Sequence, residues 1–218
     1  TDNAGTRRKV RLAAIDAPPP IIAVRGNRAL LSRQSIALVG ARDASAAGRR
    51  MARDLARDLG QAGYVIVSGM ARGIDGEAHA ASMDTGTVAA IAGGIDQIYP
   101  PQHEQLYGVL AQRGCLVSES PLGYVAQARD FPKRNRVISG LSLATIVVEA
   151  AERSGSLITA RFALEQGREV MAVPGSPLDP RARGANRLLK QGAALIESAE
   201  DVLHAMEGIS PPTFDEPF

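Results

Sequence analysis

Short apolar runs that stop at small residues, each followed by an amphipathic helical pattern, constrain this chain more than any other feature. From Ser35 onwards the alternation is regular. Ile36-Ala-Leu-Val39 ends at Gly40, and Met51, Leu55 and Leu59 then recur at helical spacing, with Arg50, Arg53, Arg57 and Asp58 off that stripe. Gly63 closes the helix and Tyr64-Val-Ile-Val67 begins the next run. Further strands are expected over 87–92, 115–117, 143–148, 169–173 and 195–196, and helices over 102–113, 157–166 and 200–206. Strands that are apolar at successive positions are buried on both faces, the mark of a mostly parallel sheet with helices on either side. The expected fold class is α/β, doubly wound.

With 218 residues, 45% of them hydrophobic, the chain can build one sizeable core. Residues 1–34 read as a basic lead-in interrupted by Pro18, Pro19 and Pro20, with a short extended piece over 21–24 before the turn pair Gly26-Asn27. Residues 35–207 read as the main domain and 208–218, with three prolines, as a flexible tail. No apolar run approaches the roughly 20 residues that span a bilayer, and Thr1 to Lys9 lacks the apolar stretch of a signal peptide. The single Cys115 suits a reducing cytoplasm, the expected location.

Ligands of a doubly wound sheet bind beyond the carboxyl ends of its strands. The residues expected there are Gly40-Ala-Arg42, Ser68-Gly69, Gly93-Gly94, Ser118-Glu119, Glu149, Ser154-Gly155-Ser156 and Pro174-Gly175. Small residues let backbone N–H groups approach a ligand, and helix N-termini attract anions, so an anion-binding rim is expected. Glycines that merely end strands tightly would look the same one at a time; six in phase on one rim favour the ligand reading. Net charge is only +2, so any nucleic-acid partner must be met by cations gathered in space. Phe131-Pro-Lys-Arg-Asn-Arg136 carries three cations and an Asn in four residues, Arg42 follows the first strand of the regular pattern, and Arg72 follows the next. Guanidiniums meeting at one rim suit phosphodiesters, although a basic run is more often a solvated face.

Several familiar chemistries do not fit. A dinucleotide fingerprint needs Gly-x-Gly-x-x-Gly after the first strand, whereas Gly40 precedes Ala41 and Arg42, with the next glycine at Gly48. No Gly-Lys-Ser/Thr triplet is present for a Walker loop. His79, His103 and His204 lack metal-ligand spacing, and no metal or cofactor is expected. His79, on a short helical segment with Asp75 four residues earlier, reads as a solvated or locally paired histidine; Glu149 reads equally as a general base or as a carboxylate orienting neighbouring Arg or Ser side chains.

Together these segments resemble the DNA-processing protein A (DprA, or Smf) family. The resemblance rests on Ile36-Ala-Leu-Val-Gly-Ala-Arg42, Ser68-Gly-Met-Ala-Arg-Gly-Ile-Asp75 with His79, Gly93-Gly-Ile-Asp96 with Tyr99-Pro100, and Ser118-Glu119. It continues through Phe131-Pro-Lys-Arg-Asn-Arg-Val-Ile138, Val148-Glu-Ala150, Ser154-Gly-Ser-Leu-Ile-Thr-Ala160, Gly167-Arg168, Val173-Pro-Gly175, Gly184-Ala-Asn186 and Gly192-Ala193. It implies an extended Rossmann-like domain that binds single-stranded DNA without catalysis, forms a homodimer, and loads the RecA recombinase during natural transformation. It implies phosphate binding by Arg42 and by Lys133, Arg134, Asn135 and Arg136, with Gly40, Ser68, Gly69, Arg72, Ser154, Gly155 and Ser156 lining the pocket. It places the dimer and partner surface around Asn186, Leu188, Leu189 and Gln191. Ala41 departs from the serine common in the family and removes a hydroxyl but no main-chain N–H. The N-terminal helical and C-terminal winged-helix domains of many members are not expected within these residues.

On this reading Arg42, Lys133, Arg134 and Arg136 neutralise four phosphates, each adding about 0.7 to the salt slope of log K, roughly 3 in all. Aromatic content is 4%, so stacking is expected to be minor, with Phe131 the one aromatic placed for it. The enzymatic alternative is a phosphoribohydrolase of the cytokinin-activating (LOG) type, whose Pro-Gly-Gly-x-Gly-Thr-x-x-Glu loop is missing here. A mononucleotide-sensing or scaffold protein using the same rim is a third reading.

Overall fold

The computed structural model describes residues 11–207, so the first ten residues of the basic lead-in and the expected tail over 208–218 lie outside the described residues. One sheet of eight strands organises the rest: β1 (Ala23–Gly26), β2 (Ser35–Val39), β3 (Val65–Ser68), β4 (Thr87–Gly94), β5 (Cys115–Ser120), β6 (Ala144–Val147), β7 (Glu169–Ala172) and β8 (Ala194–Leu195). Their order is β1-β5-β4-β3-β2-β6-β7-β8. All neighbours pair in parallel except β1, which runs antiparallel to β5 at the edge. The doubly wound α/β expectation therefore holds.

Side chains alternate across this sheet and both faces are apolar. Val39, Val67, Ala90, Val117 and Val147 pack against α4 (Asp130–Leu141), α5 (Ser156–Glu165) and α6 (Arg183–Lys190). Ile36, Leu38, Ile66 and Ile146 pack on the other side against α1 (Ala46–Gln61), α2 (Ile74–Ala81) and α7 (Ala199–Glu207). Ala89, Ile91 and Leu116 continue that side under α3 (Glu104–Arg113). The segment before Ser35 contributes too: β1 extends the sheet, and Leu12, Ile15 and Leu30 are buried in the first of these cores.

The apolar runs located the strands to within a few residues. Two helices were not expected. α4 begins at Asp130, just before the basic hexapeptide, and Pro132 falls in its first turn, where proline removes only an N–H that has no helical partner. α6 carries two arginines, an asparagine and a terminal lysine around Ala185 and Leu188, a stripe too short to separate from a loop. Strands β4 and β5 also run further than expected, so Gly93-Gly94 and Ser118-Glu119 lie within them rather than after them.

The strand order reverses direction at β2. From there the chain proceeds outward through β3, β4 and β5 on one side, and later through β6, β7 and β8 on the other. At such a switch point the connections leave on opposite faces and open a cleft beyond the carboxyl ends. Here the cleft lies between the segments following β2 and β6.

Candidate functional site

The turn after β2 is held in place from below. Gly40 leaves no room for a side chain: an added Cβ would meet Ile74 Cγ1 at 2.5 Å and the Glu149 carbonyl at 3.0 Å. Gly73, at φ +74°, lies so close under Ala41 and Arg42 that a Cβ would come within 2.3 Å of the Ala41 carbonyl oxygen. The same carbonyl accepts from Ile74 N–H at 3.2 Å. These contacts present Arg42 at the cleft, exposed, its guanidinium 5.6 Å from the ring centre of Phe131. Phe131 in turn packs on Tyr99 with ring centres 5.1 Å apart at 52°. A cation over an aromatic face is stabilised by the ring quadrupole, so the pair steadies a side chain that is otherwise free.

Glu149 turns out to orient a serine. Its Oε1 accepts from Ser45 N–H at 3.1 Å and its Oε2 from the Ser45 hydroxyl at 2.5 Å, while Ser45 Oγ accepts from Gly48 N–H and caps α1. The carboxylate is thereby committed to structure, and the general-base reading finds no support in its geometry.

The loop after β3 is shaped by a buried pair of groups flanking Gly69. Asp75 accepts from the N–H groups of Gly69 and Ala71, both at 3.2 Å, and Arg134 donates to the carbonyls of Gly69 and Ala90. A Cβ on Gly69 would lie 2.9 Å from both Arg134 nitrogens and from Asp75 Oδ2, so only glycine fits. Met70 adopts φ +63°, with its carbonyl accepting from His103 Nδ1 at 3.1 Å. Burial raises the Asp75 carboxyl, although the nearby Arg134 and the two amides oppose this. Burial likewise lowers the Arg134 guanidinium to about 10, which leaves it protonated at neutral pH. Among the described residues Arg134 makes no ion pair within 4.0 Å and its Nε has no partner, so a positive charge sits under the cleft. The expectation that the Ser68-Gly69 amides face a ligand is corrected: Gly69 N–H faces Asp75, and the buried Ser68 hydroxyl donates to the Leu38 carbonyl at 2.6 Å.

Helix geometry divides the Lys-Arg-Asn-Arg run. Successive residues turn by about 100°, so the four side chains leave α4 in different directions. Arg134 and Asn135 face the sheet and the cleft; Asn135 Nδ2 donates to the Gly155 carbonyl at 3.1 Å. Lys133 is exposed on the first turn and lines neither cavity described below. Arg136 points elsewhere: it pairs with Glu119 and donates to the Ala17 carbonyl, with only 14% of its side chain exposed. Its expected phosphate contact is therefore corrected; the charge is spent inside the protein.

Two adjoining cavities occupy the cleft. The larger, about 810 Å³, lies at the switch point, between Gly40, Arg42 and Asp43 on one side and Ser154, Gly155 and Ser156 on the other. The Ser154 and Ser156 hydroxyls are 2.8 Å apart at the start of α5, whose N-terminal dipole favours an anion. Arg153 and Arg181 also line it, and neither was singled out from sequence; their one signal is proximity to Ser154 and to Gly184. The smaller cavity, about 320 Å³, lies beyond β3 and β4 and takes in Gly69, Arg72 and Gly93. Arg72 reaches it while pairing loosely with Asp43 at 3.5 Å, both side chains being largely exposed. Arg42, Tyr99, Phe131 and Arg134 are common to the two cavities. Tyr99 was quoted only as part of a motif, and Gln97, Ile98, Val125 and Ala126 were missed, because their loops carry no periodicity.

The remaining candidates lie apart. Gly175 is clamped by Asn186, whose side chain accepts from its N–H at 3.1 Å and donates to its carbonyl at 2.8 Å. Leu188 is buried in the core, Leu189 is partly buried against it, and Gln191 is exposed at the end of α6. His79 is fully buried, not solvated, with Nδ1 2.7 Å from Thr87 Oγ1, and burial lowers it to about 3. Among the described residues no cluster of His, Cys, Asp and Glu suits a metal, and no helix is long and apolar enough to cross a membrane.

The family described as DNA recombination-mediator protein A matches residues 8–207. The chain is similar to the DNA processing protein DprA of Bacillus subtilis, 47% identical over 198 residues, covering 89% of this chain and 67% of that protein. Protein Smf of Escherichia coli is 45% identical, covering 90% of this chain but 53% of its own length. Thus the chain spans about half to two thirds of these relatives. Among solved structures, DprA of Streptococcus pneumoniae superposes with a TM-score of 0.85 at 39% identity, over 89% of this chain and 69% of that one. DprA of Helicobacter pylori, whose structure is described as showing a single-stranded DNA binding mode, superposes at 0.83 with 27% identity, covering 95% and 94% of the two chains. A molybdenum cofactor binding protein of Rippkaea orientalis, 15% identical at 0.56 over 81% of this chain and 97% of that one, shares the fold alone. By sequence over nearly all its length, and by the architecture that carries the cleft, this chain belongs to the DNA recombination-mediator protein A family.

Proposed function

We propose that this protein binds single-stranded DNA through its phosphates in the cleft at the switch point of the sheet. The observation that carries the reading is the convergence of Arg42, Arg72 and Arg134, distant in sequence, on two adjoining cavities. Arg42 and Arg72 are exposed, the latter held only by its loose pair with Asp43, Arg134 supplies a fixed charge beneath, and the α5 N-terminus with Ser154 and Ser156 adds donors. Lys133, exposed on the first turn of α4, extends the basic path beyond the cleft. Nothing in this arrangement reads a base edge, which fits binding that tolerates any sequence. The similarity to the Helicobacter protein supports the same reading.

Dimerisation and RecA loading belong to this proposal through the family resemblance, as does a location in the cytoplasm. Two protomers on one strand would raise affinity for long DNA through effective concentration. Catalysis forms no part of it, since the Glu149 carboxylate is engaged by Ser45.

Fluorescence-anisotropy titration with single- and double-stranded oligonucleotides at two salt concentrations tests the reading. Tighter, salt-sensitive binding of the single strand is expected. Equal affinity for both forms, or binding insensitive to salt, overturns it. Incubation with nucleoside monophosphates is expected to release no free base; release would establish the enzymatic alternative.

A further inference from the structure

Beneath the cleft an acid and a base stand close without touching. A Cβ placed on Gly69 would lie 2.9 Å from Asp75 Oδ2 and 2.9 Å from both terminal nitrogens of Arg134. The two buried charges therefore face each other across the space of one methyl group, short of an ion pair. Both bonds from Arg134 to the carbonyls of Gly69 and Ala90 use Nη1. Among the described residues Nη2 has no acceptor, although the side chain lines both cavities. Asp75 is the acid whose charge supports this guanidinium, while the Arg42 charge nearby opposes it.

We propose that Asp75 is a positioning residue for the strand: its carboxylate is the internal counter-charge that keeps Arg134 at the floor of the empty cleft, and an entering phosphate takes over that role at Nη2. The inference rests on the strand-binding reading above and names the residue that tunes it. A buried guanidinium left without any opposite charge is strongly destabilising. An acid in direct contact would steady it but would leave little field for a phosphate. Held off by Gly69, the carboxylate supports the charge and still lets its field reach the cleft. The same carboxylate repels the incoming phosphate, so order in the empty site is gained at some loss of affinity. Asp75 also accepts from the N–H groups of Gly69 and Ala71, both at 3.2 Å. Asparagine keeps an oxygen for those two donors and alanine does not, which separates the charge of this side chain from its hold on the loop.

The test is Asp75→Asn, read by anisotropy with a thymidine oligonucleotide and by thermal melts with and without it. Loss of the repulsion is expected to tighten binding about threefold or more, at an unchanged salt slope. The free variant is expected to melt below the wild type, and the oligonucleotide to raise its midpoint by more. Asp75→Ala, which also releases the loop amides, is expected to weaken binding. If Asp75→Asn binds no more tightly than the wild type, the carboxylate merely holds the loop and the proposal is overturned. Adding Arg134→Gln removes both charges. That double variant is expected to melt above Asp75→Asn alone and to bind no more tightly than Arg134→Gln alone. Should Asp75→Asn fail to fold, recovery of folding in the double variant supports the counter-charge, and failure there too overturns it. A wild-type protein that binds no oligonucleotide removes the strand-binding reading and this inference with it; one that binds while Asp75→Asn gains nothing removes this inference alone.

Discussion

Arg42 and Arg136 belong to the same basic set in the sequence, yet the structure gives them opposite tasks, and exchanging each for alanine separates the two. Arg42 is exposed at the cleft with its guanidinium over the Phe131 ring, so Arg42→Ala removes one phosphate contact and little internal support. One contact on a single strand contributes about 0.7 to the salt slope of log K. Between 50 and 200 mM salt, that makes the affinity gap between wild type and Arg42→Ala shrink about 2.6-fold. Arg136 is paired with Glu119 behind α4, the two side chains 14% and 12% exposed. Arg136→Ala strands a largely buried carboxylate and breaks the contact to Ala17, at a cost of about 2–3 kcal/mol. For a chain of this size the melting midpoint falls by roughly 4–12 °C, while the salt slope stays at the wild-type value. Anisotropy titrations at several salt concentrations, with thermal melts of the same samples, measure both quantities. If Arg136→Ala lowers the slope as much as Arg42→Ala does, with an unchanged melt, the assignment of these two side chains is refuted.

Three further outcomes follow from the geometry. Ser45→Ala removes the α1 cap and the hydroxyl held by Glu149, costing about 1–2 kcal/mol in urea melts without altering the salt slope; unchanged stability would mean the cap carries nothing. Gly73→Ala places a Cβ against the Ala41 and Arg42 carbonyls at a left-handed position, so both stability and strand affinity should fall, whereas wild-type affinity would show that the Arg42 turn is not held from below. His79 stays neutral when folded, at about 3, against roughly 6.5 when unfolded. The unfolded chain binds the extra proton between those values, so this group lowers stability by about 1.4 kcal/mol for each pH unit below roughly 6.5 and has no effect above it. His79→Asn should remove that share of the acid sensitivity in urea melts at pH 5.5 and 7.5; an identical pH dependence in wild type and variant would refute the burial.

The α/β architecture was legible because it rests on a local property. A strand buried on both faces must be apolar at successive positions, and Ile36–Val39, Val65–Val67 and Ile146–Val148 each show this without reference to anything distant. The same holds for Gly40 and Arg42 after β2, and for Ser154 to Ser156 in the connection from β6 to α5, since the segment leaving a parallel strand lies at the carboxyl rim whatever the strand order. Direction within a helix was not available in this way. Lys133, Arg134 and Arg136 look alike as a run of cations, but which of them faces the cleft depends on the rotation of α4 against the sheet, and that is set by Val137, Ile138 and Leu141 packing into the core. Strand order, which puts the cleft between β2 and β6, and the loops over 95–101 and 121–126, which wall the smaller cavity, likewise depend on contacts between segments far apart in the chain. Local periodicity thus determined what kind of sheet forms and where its ligand rim lies. Only long-range packing decided which charges reach that rim, because burying a helix face commits every side chain on it to one side of the protein.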